Sequence, residues 1–201
     1  NREKADAYAS TSFFTAFIVG VILAFFSLTN IDAVVRFLGS TETIAPYAKD
    51  YATYIFYAMP FMMCSFVMNN LLRFEGLTMY GMVGITAGGI LNIVLDPLFM
   101  FVLLPKGYEV LGAALATLLS NLVSFVYFIV VYQKVRSKTV LALPRRIERV
   151  QKSSMRAIFS VGVPAALSLL LYDLTNIIIN KLPSGHGDIE LAAMGIILKV
   201  E

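Results

Sequence analysis

Long stretches without charge are the feature that most restricts how this chain can fold. Residues 7–31, 51–72 and 110–133 contain no Asp, Glu, Lys or Arg. Residues 76–105 and 157–180 contain one charge each, Asp96 and Asp173. A helix needs about 20 mostly apolar residues to cross the hydrocarbon core of a bilayer. Five windows reach that length, so the sequence predicts an all-α polytopic membrane protein, a helical bundle within the lipid bilayer.

Composition excludes several other classes of protein. The 201 residues are 58% hydrophobic and 14% charged, whereas soluble domains carry about 25% charged residues. The net charge of +3 is too small to indicate a nucleic-acid partner. With one cysteine, Cys64, and one histidine, His186, the chain has no set of Cys and His metal ligands. No P-loop, G-x-S-x-G or H-E-x-x-H motif occurs. We therefore expect that the protein is not an enzyme and binds no cofactor.

The charge-free windows place the helices along the chain. The first three are expected at residues 8–28, 51–72 and 79–104, with Pro60 bending the second and Asp96-Pro97 interrupting the third. The next two are expected at residues 110–132 and 157–181. Residues 29–50 have a mixed composition that suits the membrane interface. The apolar run 191–198 resembles the beginning of a further span, so we expect a segment of a larger membrane protein.

Basic residues are distributed unequally between the two ends of these helices. One side carries eleven Lys and Arg residues, eight of them in the link after the fourth helix, and the other side carries four. Because basic residues near membrane ends are retained in the cytoplasm, the first, third and fifth helices are predicted to run outward. The basic link can also contact anionic lipid, but a role in topology alone is the plainer interpretation.

Small residues recur at helical spacing in the third and fourth helices. They are Gly81, Gly84 and Gly88 in one and Gly112, Ala116 and Ser120 in the other. Rows of small residues let helix backbones approach closely in lipid, so these two helices are predicted to form a tight hairpin.

Asp96 is the first candidate functional residue, because an ionisable group inside a membrane helix requires partners or a function. Asn92 precedes it by one helical turn and can donate a hydrogen bond to its carboxylate. Such an acid can ligate a hard cation or carry a proton, or it can serve only as a structural hydrogen-bond acceptor. The fourth helix adds a polar stripe that faces these residues or merely links helices; its members are Thr117, Ser120, Asn121 and Ser124.

The fifth helix has a second polar stripe of similar spacing. Asp173, Asn176 and Asn180 follow one another at intervals of three and four residues. A carboxylate within such a stripe can line a water-filled path for cationic substrates, or it can pair with a basic residue of another helix.

Methionine and phenylalanine are concentrated in the second helix, including Met62, Phe66 and Met68. Flexible, polarisable Met side chains suit a surface that accepts varied apolar ligands. Contact with lipid explains the same residues, so both interpretations remain open.

Three stretches of the chain together resemble the multidrug and toxic compound extrusion (MATE) transporters of bacteria. They are NIVLDPLF at 92–99; GAALAT at 112–117 with Ser120 and Asn121; and GVP at 162–164 with YDLTN at 172–176 and AAMG at 192–195. The resemblance covers nearly the whole chain.

The resemblance implies a two-lobe, twelve-helix transporter that exports organic cations in exchange for Na⁺ or H⁺ by alternating access. Residues 1–132 would then belong to the N-lobe as helices three to six, and 133–156 would be the cytoplasmic linker. Residues 157–201 would be helix seven and the beginning of helix eight of the C-lobe. The protein would lie in the bacterial plasma membrane, with the remaining helices of the same transporter as its partners.

The resemblance also assigns roles to residues. The coupling site for a cation or proton would consist of Asn92, Asp96 and Thr117. Na⁺ would be the only metal ion and would bind at Asn92 and Asp96. Asp173 would be the acid that some family members carry in helix seven. The spacing of Asp173, Asn176 and Asn180 itself is the reason to place these residues along the substrate pathway. A related flippase of lipid-linked oligosaccharides is the alternative, but an anionic cargo would favour a cationic cavity, whereas Asp96 and Asp173 are acidic.

The distribution of basic residues generates a prediction about topology. In a Cys64→Ala background of the full-length protein that carries this sequence, Ser137→Cys should react with an impermeant maleimide only from the cytoplasm. Thr43→Cys should react only from outside. The opposite labelling pattern would show that the predicted orientation is wrong.

Overall fold

A computed structural model of the chain describes residues 2–135 and 152–184, and every regular element in these ranges is a helix. The helices are α1 (Arg2–Thr29), α2 (Ile31–Phe37), α3 (Ala45–Phe74), α4 (Thr78–Pro97), a π-helix (Leu98–Leu103), α5 (Glu109–Val135) and α6 (Lys152–Ser184). Most of the basic link, His186 and the apolar run at 191–198 lie outside the described residues.

Five segments of the described residues are long and apolar enough to cross a membrane, as the charge-free windows predict. They are Tyr8–Thr29, Ala45–Phe74, Thr78–Leu103, Glu109–Val135 and Gly162–Ile179. The prediction of an all-α polytopic membrane protein is therefore confirmed. The described residues form two compact units, one of residues 2–29 and 50–135 and the other of residues 30–49 and 152–184.

Prolines lie close to two helix boundaries, and one of these boundaries differs from the expectation. The second long helix begins at Ala45 rather than near residue 51, because Pro46 falls in the first turn, where its missing N–H has no helical acceptor to lose. In the third span the α-helix ends at Pro97, so the interruption expected at Asp96-Pro97 is present. The distortion follows Pro97, where six residues adopt the wider π-helix. Pro60 lies inside α3, and the bend expected there stays a prediction.

In the first unit, α1, α3 and α5 share an apolar core. Its fully buried members include Met68, Leu72 and Phe128, with the Phe13 ring of α1 stacked on Phe125 at 6.5 Å between centroids. The hydroxyl of Tyr132 donates to the Met68 carbonyl oxygen at 3.3 Å. Because lipid is as apolar as these side chains, the core stabilises the bundle through close packing rather than exclusion of water.

A sharp turn reverses the chain between α3 and α4. Gly76 has a φ of +76°, a conformation that is strained for residues with a Cβ. Its N–H bonds the Arg73 carbonyl oxygen at 3.0 Å, and the Leu77 N–H bonds that of Leu72 at 2.9 Å. This Schellman motif satisfies the carbonyls at the end of α3 and lets α4 begin at Thr78.

The predicted hairpin of α4 and α5 is present, and its contacts depend on glycine. A Cβ at Gly84 would lie 2.6 Å from the Phe128 ring and 2.8 Å from the Tyr127 ring. A Cβ at Gly88 would overlap the Ser124 hydroxyl. Gly81 differs from the expectation, because it lies against the Asn69 side chain of α3.

In the second unit, α2 ends in another Schellman motif, with Gly39 at a φ of +104°. Arg36 pairs with Glu42 at 3.5 Å, and Lys49 pairs with Asp32. These side chains are largely exposed, so the pairs contribute little stability. α6 passes through Pro164, whose carbonyl oxygen accepts a hydrogen bond from the Ser168 hydroxyl at 3.1 Å.

The hairpin contact predicts different effects for two alanine substitutions in α4. Gly84→Ala should lower the free energy of unfolding by about 1–3 kcal/mol, because the new methyl group overlaps two aromatic rings. Gly89→Ala is the matched control, since no atom lies within 4 Å of its Cβ position and both variants gain the same helix propensity. Thermal unfolding in detergent measures the difference, and equal stability of the two variants would contradict the proposed packing.

Candidate functional site

Asn92, Asp96 and Thr117 form one hydrogen-bonded group between α4 and α5. The Asn92 Nδ2 atom donates to Asp96 Oδ1 at 3.0 Å and to Thr117 Oγ1 at 3.3 Å. All three side chains are partly buried. The structure thus brings together the three residues that the sequence analysis selected as a coupling site.

Local helix geometry explains why this group forms. Because α4 remains helical through Asp96, the residues at 92 and 96 stay on one face, one turn apart. On α5 the Thr117 hydroxyl donates to the Ala113 carbonyl oxygen at 2.9 Å, which directs a lone pair of Oγ1 toward Asn92. Asp96 Oδ2 has no hydrogen-bond partner within residues 2–135 and 152–184, which leaves it available to a cation or a proton.

A cavity of about 310 Å³ adjoins this group and lies between α3, α4 and α5. Asn92 and the polar stripe of α5 form one side, while α3 contributes the opposite side. The lining residues are Met62, Ser65, Phe66, Asn69, Ile85, Gly88, Gly89, Asn92, Thr117, Ser120, Asn121, Ser124 and Phe128.

The polar stripe of α5 both faces the cavity and bonds to helix backbone, so the two interpretations of it are compatible. Ser120 and Asn121 donate to the carbonyl oxygens of Ala116 and Thr117, both at 2.8 Å. The Ser124 hydroxyl crosses to the Gly84 carbonyl oxygen of α4 at 3.4 Å. Met62 and Phe66 line the cavity, whereas Met68 belongs to the core.

Two polar residues of α3 were missed by the sequence analysis. Asn69 is 3% exposed, and neither its Oδ1 atom nor the Oγ atom of Ser65 has a hydrogen-bond partner among the described residues. Buried polar atoms are normally paired, so this pair marks the α3 side of the cavity as a polar contact surface. Their spacing of four residues in an apolar helix was a signal that could have identified them.

The predicted pathway residues of α6 belong to the second unit. Asp173 is exposed and Asn176 is partly exposed. The side chain of Asn180 lies outside the described residues. Across the described residues, no group of three His, Cys, Asp or Glu side chains is placed to hold a metal ion.

Comparison with known proteins decides which family these features represent. The MatE family model matches residues 1–98. Multidrug export protein MepA of Staphylococcus haemolyticus is 28% identical over 193 residues. An inward-facing multidrug resistance MATE family transporter of the MOP superfamily superposes with a TM-score of 0.85 at 30% identity. Over nearly its whole length, the chain is similar to MATE transporters. The resemblance found in the sequence is thereby confirmed.

The chain matches only part of each relative. It aligns over 96% of its own length with MepA but covers 42% of that protein, and it covers 43% of the inward-facing transporter. A MOP superfamily transporter from Pyrococcus furiosus, whose binding pocket is described as having reverse polarity, superposes with a TM-score of 0.79 at 30% identity. The alignment covers 43% of the length of that transporter. These relatives are membrane transporters, not enzymes.

Proposed function

We propose that this chain is part of a MATE-type secondary active exporter in the bacterial plasma membrane, which expels organic cations in exchange for Na⁺ or H⁺ by alternating access. The observation that carries the proposal is the hydrogen-bonded group of Asp96, Asn92 and Thr117 beside a mainly apolar cavity that also contacts the polar stripe of α5. The multidrug export activity in the name of the MepA relative supports it. The chain would act within a longer transporter, since it spans about two fifths of the length of these relatives.

In this proposal the two-lobe plan applies to the chain as follows. Residues 1–132 form the N-lobe part, 133–156 the cytoplasmic linker and 157–201 the first part of the C-lobe. The cavity beside Asn92 lies wholly in the N-lobe part and serves as a cargo compartment. Asp173, with Asn176 and Asn180, contributes to the substrate path.

Asp96 is the proposed coupling residue. One of its carboxylate oxygens is held by Asn92, and the other is open to an incoming ion. Carboxylate, amide and hydroxyl oxygens are the ligands that a hard cation such as Na⁺ prefers. The same carboxylate can instead take up a proton. Either event neutralises Asp96 and alters its hydrogen bond with Asn92, so the ion can favour one of two conformations of the transporter.

Cationic cargo fits the cavity better than an anionic lipid-linked oligosaccharide. None of the described residues that line the cavity is basic, and the nearest ionisable side chain in the hydrogen-bonded group is the Asp96 carboxylate. The reverse-polarity pocket of the Pyrococcus furiosus relative indicates that pocket charge differs within the superfamily. A cavity with this polarity therefore favours export of cations over the flippase alternative.

The coupling role predicts the effect of removing one charge. In the full-length transporter, Asp96→Asn should abolish gradient-driven efflux from proteoliposomes while binding of a neutral drug in detergent stays within about twofold, because size is kept and only the titratable group is lost. Asn92→Ala should weaken efflux less. Asp50→Asn, at an exposed acid of α3, is the control and should transport normally. Normal efflux by Asp96→Asn under an imposed Na⁺ or H⁺ gradient would contradict the coupling role.

A separate prediction concerns Asp173. Asp173→Asn keeps the shape of the side chain and removes its charge, so export of cationic drugs should fall several-fold more than export of neutral ones. The measurement is initial efflux rate for one cationic and one neutral substrate in the same vesicles. Equal losses for both substrates would point to a structural role for Asp173.

A further inference from the structure

The hydrogen bonds along the α4–α5 side of the cavity consume nearly every donor on that side. The hydroxyl protons of Thr117, Ser120 and Ser124 go to backbone carbonyl oxygens. Such back-bonding is common for Ser and Thr in helices. It leaves the lone pairs of each hydroxyl oxygen, rather than its proton, for any other partner.

The two asparagines on this side also donate hydrogen bonds within the protein and keep their carbonyl oxygens unpaired among the described residues. The Asn92 amide nitrogen donates twice, to Asp96 and to Thr117, and the Asn121 amide nitrogen donates to the Thr117 carbonyl oxygen. Their Oδ1 atoms accept no hydrogen bond from any residue in the described ranges. Each of these side chains is only partly buried and lines the cavity, so its free carbonyl oxygen is available to a ligand.

This side of the cavity is therefore rich in neutral oxygen acceptors and poor in donors. A cation with N–H groups can bond to these oxygens directly. A fully N-alkylated cation of the same charge is attracted by Asp96 but makes no hydrogen bond to these oxygens. It also excludes water from the acceptors that it covers, so those acceptors lose their hydrogen bonds. Unpaired polar groups of this kind are costly, and they give sites strong discrimination between ligands that differ by one donor.

We propose that the cavity selects organic cations that carry N–H donors over fully N-alkylated cations of equal charge, with Asn121 as the main selecting residue and Ser124 as a second. The inference rests on the proposed function, in which this cavity holds the cargo. Asn121 suits the role because its Oδ1 is unpaired among the described residues while its amide is anchored to α5. Neither Asn121 nor Ser124 belongs to the hydrogen-bonded group around Asp96.

A matched pair of dyes tests this selectivity. Rhodamine 123 and tetramethylrhodamine methyl ester share a xanthylium core, a methyl ester and a single positive charge, but only rhodamine 123 has N–H groups. Binding to the purified full-length transporter is measured by fluorescence polarisation, and efflux is measured from proteoliposomes under an ion gradient. We expect wild-type protein to bind rhodamine 123 about tenfold more tightly than the methylated dye.

Variants assign the selectivity to its residues. Asn121→Leu should bring the ratio of the two affinities close to one, and Ser124→Ala should reduce it part of the way. Asn70→Leu is the matched control, because Asn70 also donates to the carbonyl oxygen four residues earlier, at 2.9 Å, but does not line the cavity. It should keep the wild-type ratio, which also corrects for the different partitioning of the dyes into detergent.

The outcomes separate this inference from the proposed function. The selectivity would be overturned by equal affinities for the two dyes in wild-type protein, or by an unchanged affinity ratio in both Asn121→Leu and Ser124→Ala. In that case, gradient-driven efflux of both dyes would still support the export function. Absence of both binding and gradient-driven efflux would overturn the export function and the selectivity with it. A ratio that falls only in the two cavity variants would establish the inference.

Discussion

The close approach of the α4 and α5 backbones is the constraint on which the rest of the site depends. Gly84 and Gly88 leave no room for a side chain where Phe128 and Ser124 meet α4. Only at that separation can Asn92 on one helix reach Thr117 on the other at 3.3 Å. Since apolar side chains gain little from one another in lipid, this proximity and the hydrogen bonds it permits hold the two helices together.

The low polarity of the surroundings also explains why the polar side chains are arranged as they are. A hydroxyl inside a membrane must find its acceptor within the protein, and the nearest one is the carbonyl oxygen one turn earlier. Thr117 and Ser120 both take this solution. The same bonds that make these residues acceptable within the membrane also fix which of their atoms remain for a ligand, so helix stability and ligand chemistry have one origin.

Charge patterning was sufficient to predict the spans, because a charge inside a bilayer is so costly that its absence is informative. The pairing of Asn92 with Asp96 was also predictable, since it follows from a four-residue spacing within one helix. The start of α3 at Ala45 was not, because Pro46 is tolerated in the first turn of a helix, where its missing N–H costs no hydrogen bond.

The cavity lay beyond the reach of sequence reasoning. Its α3 side consists of Ser65 and Asn69 together with apolar neighbours, and only the packing of three helices shows that these residues face Asn92. The position of Gly81 against Asn69, rather than against α5, is a result of the same packing. A row of small residues indicates that some helix comes close, but it does not identify which one.

The π-helix after Pro97 makes the length of this segment as important as its composition. Each of its turns contains one residue more than an α-turn. The backbone of Phe99 and Met100 lies against Gly112, 2.9 Å from the position that a Cβ atom at residue 112 would occupy. Deleting one residue would return this segment to the narrower α-helix and shift the backbone that packs on Gly112. Gly112 would then meet a different part of the chain. Among related chains, gaps in the alignment between Pro97 and Pro105 should consequently be rarer than amino-acid replacements.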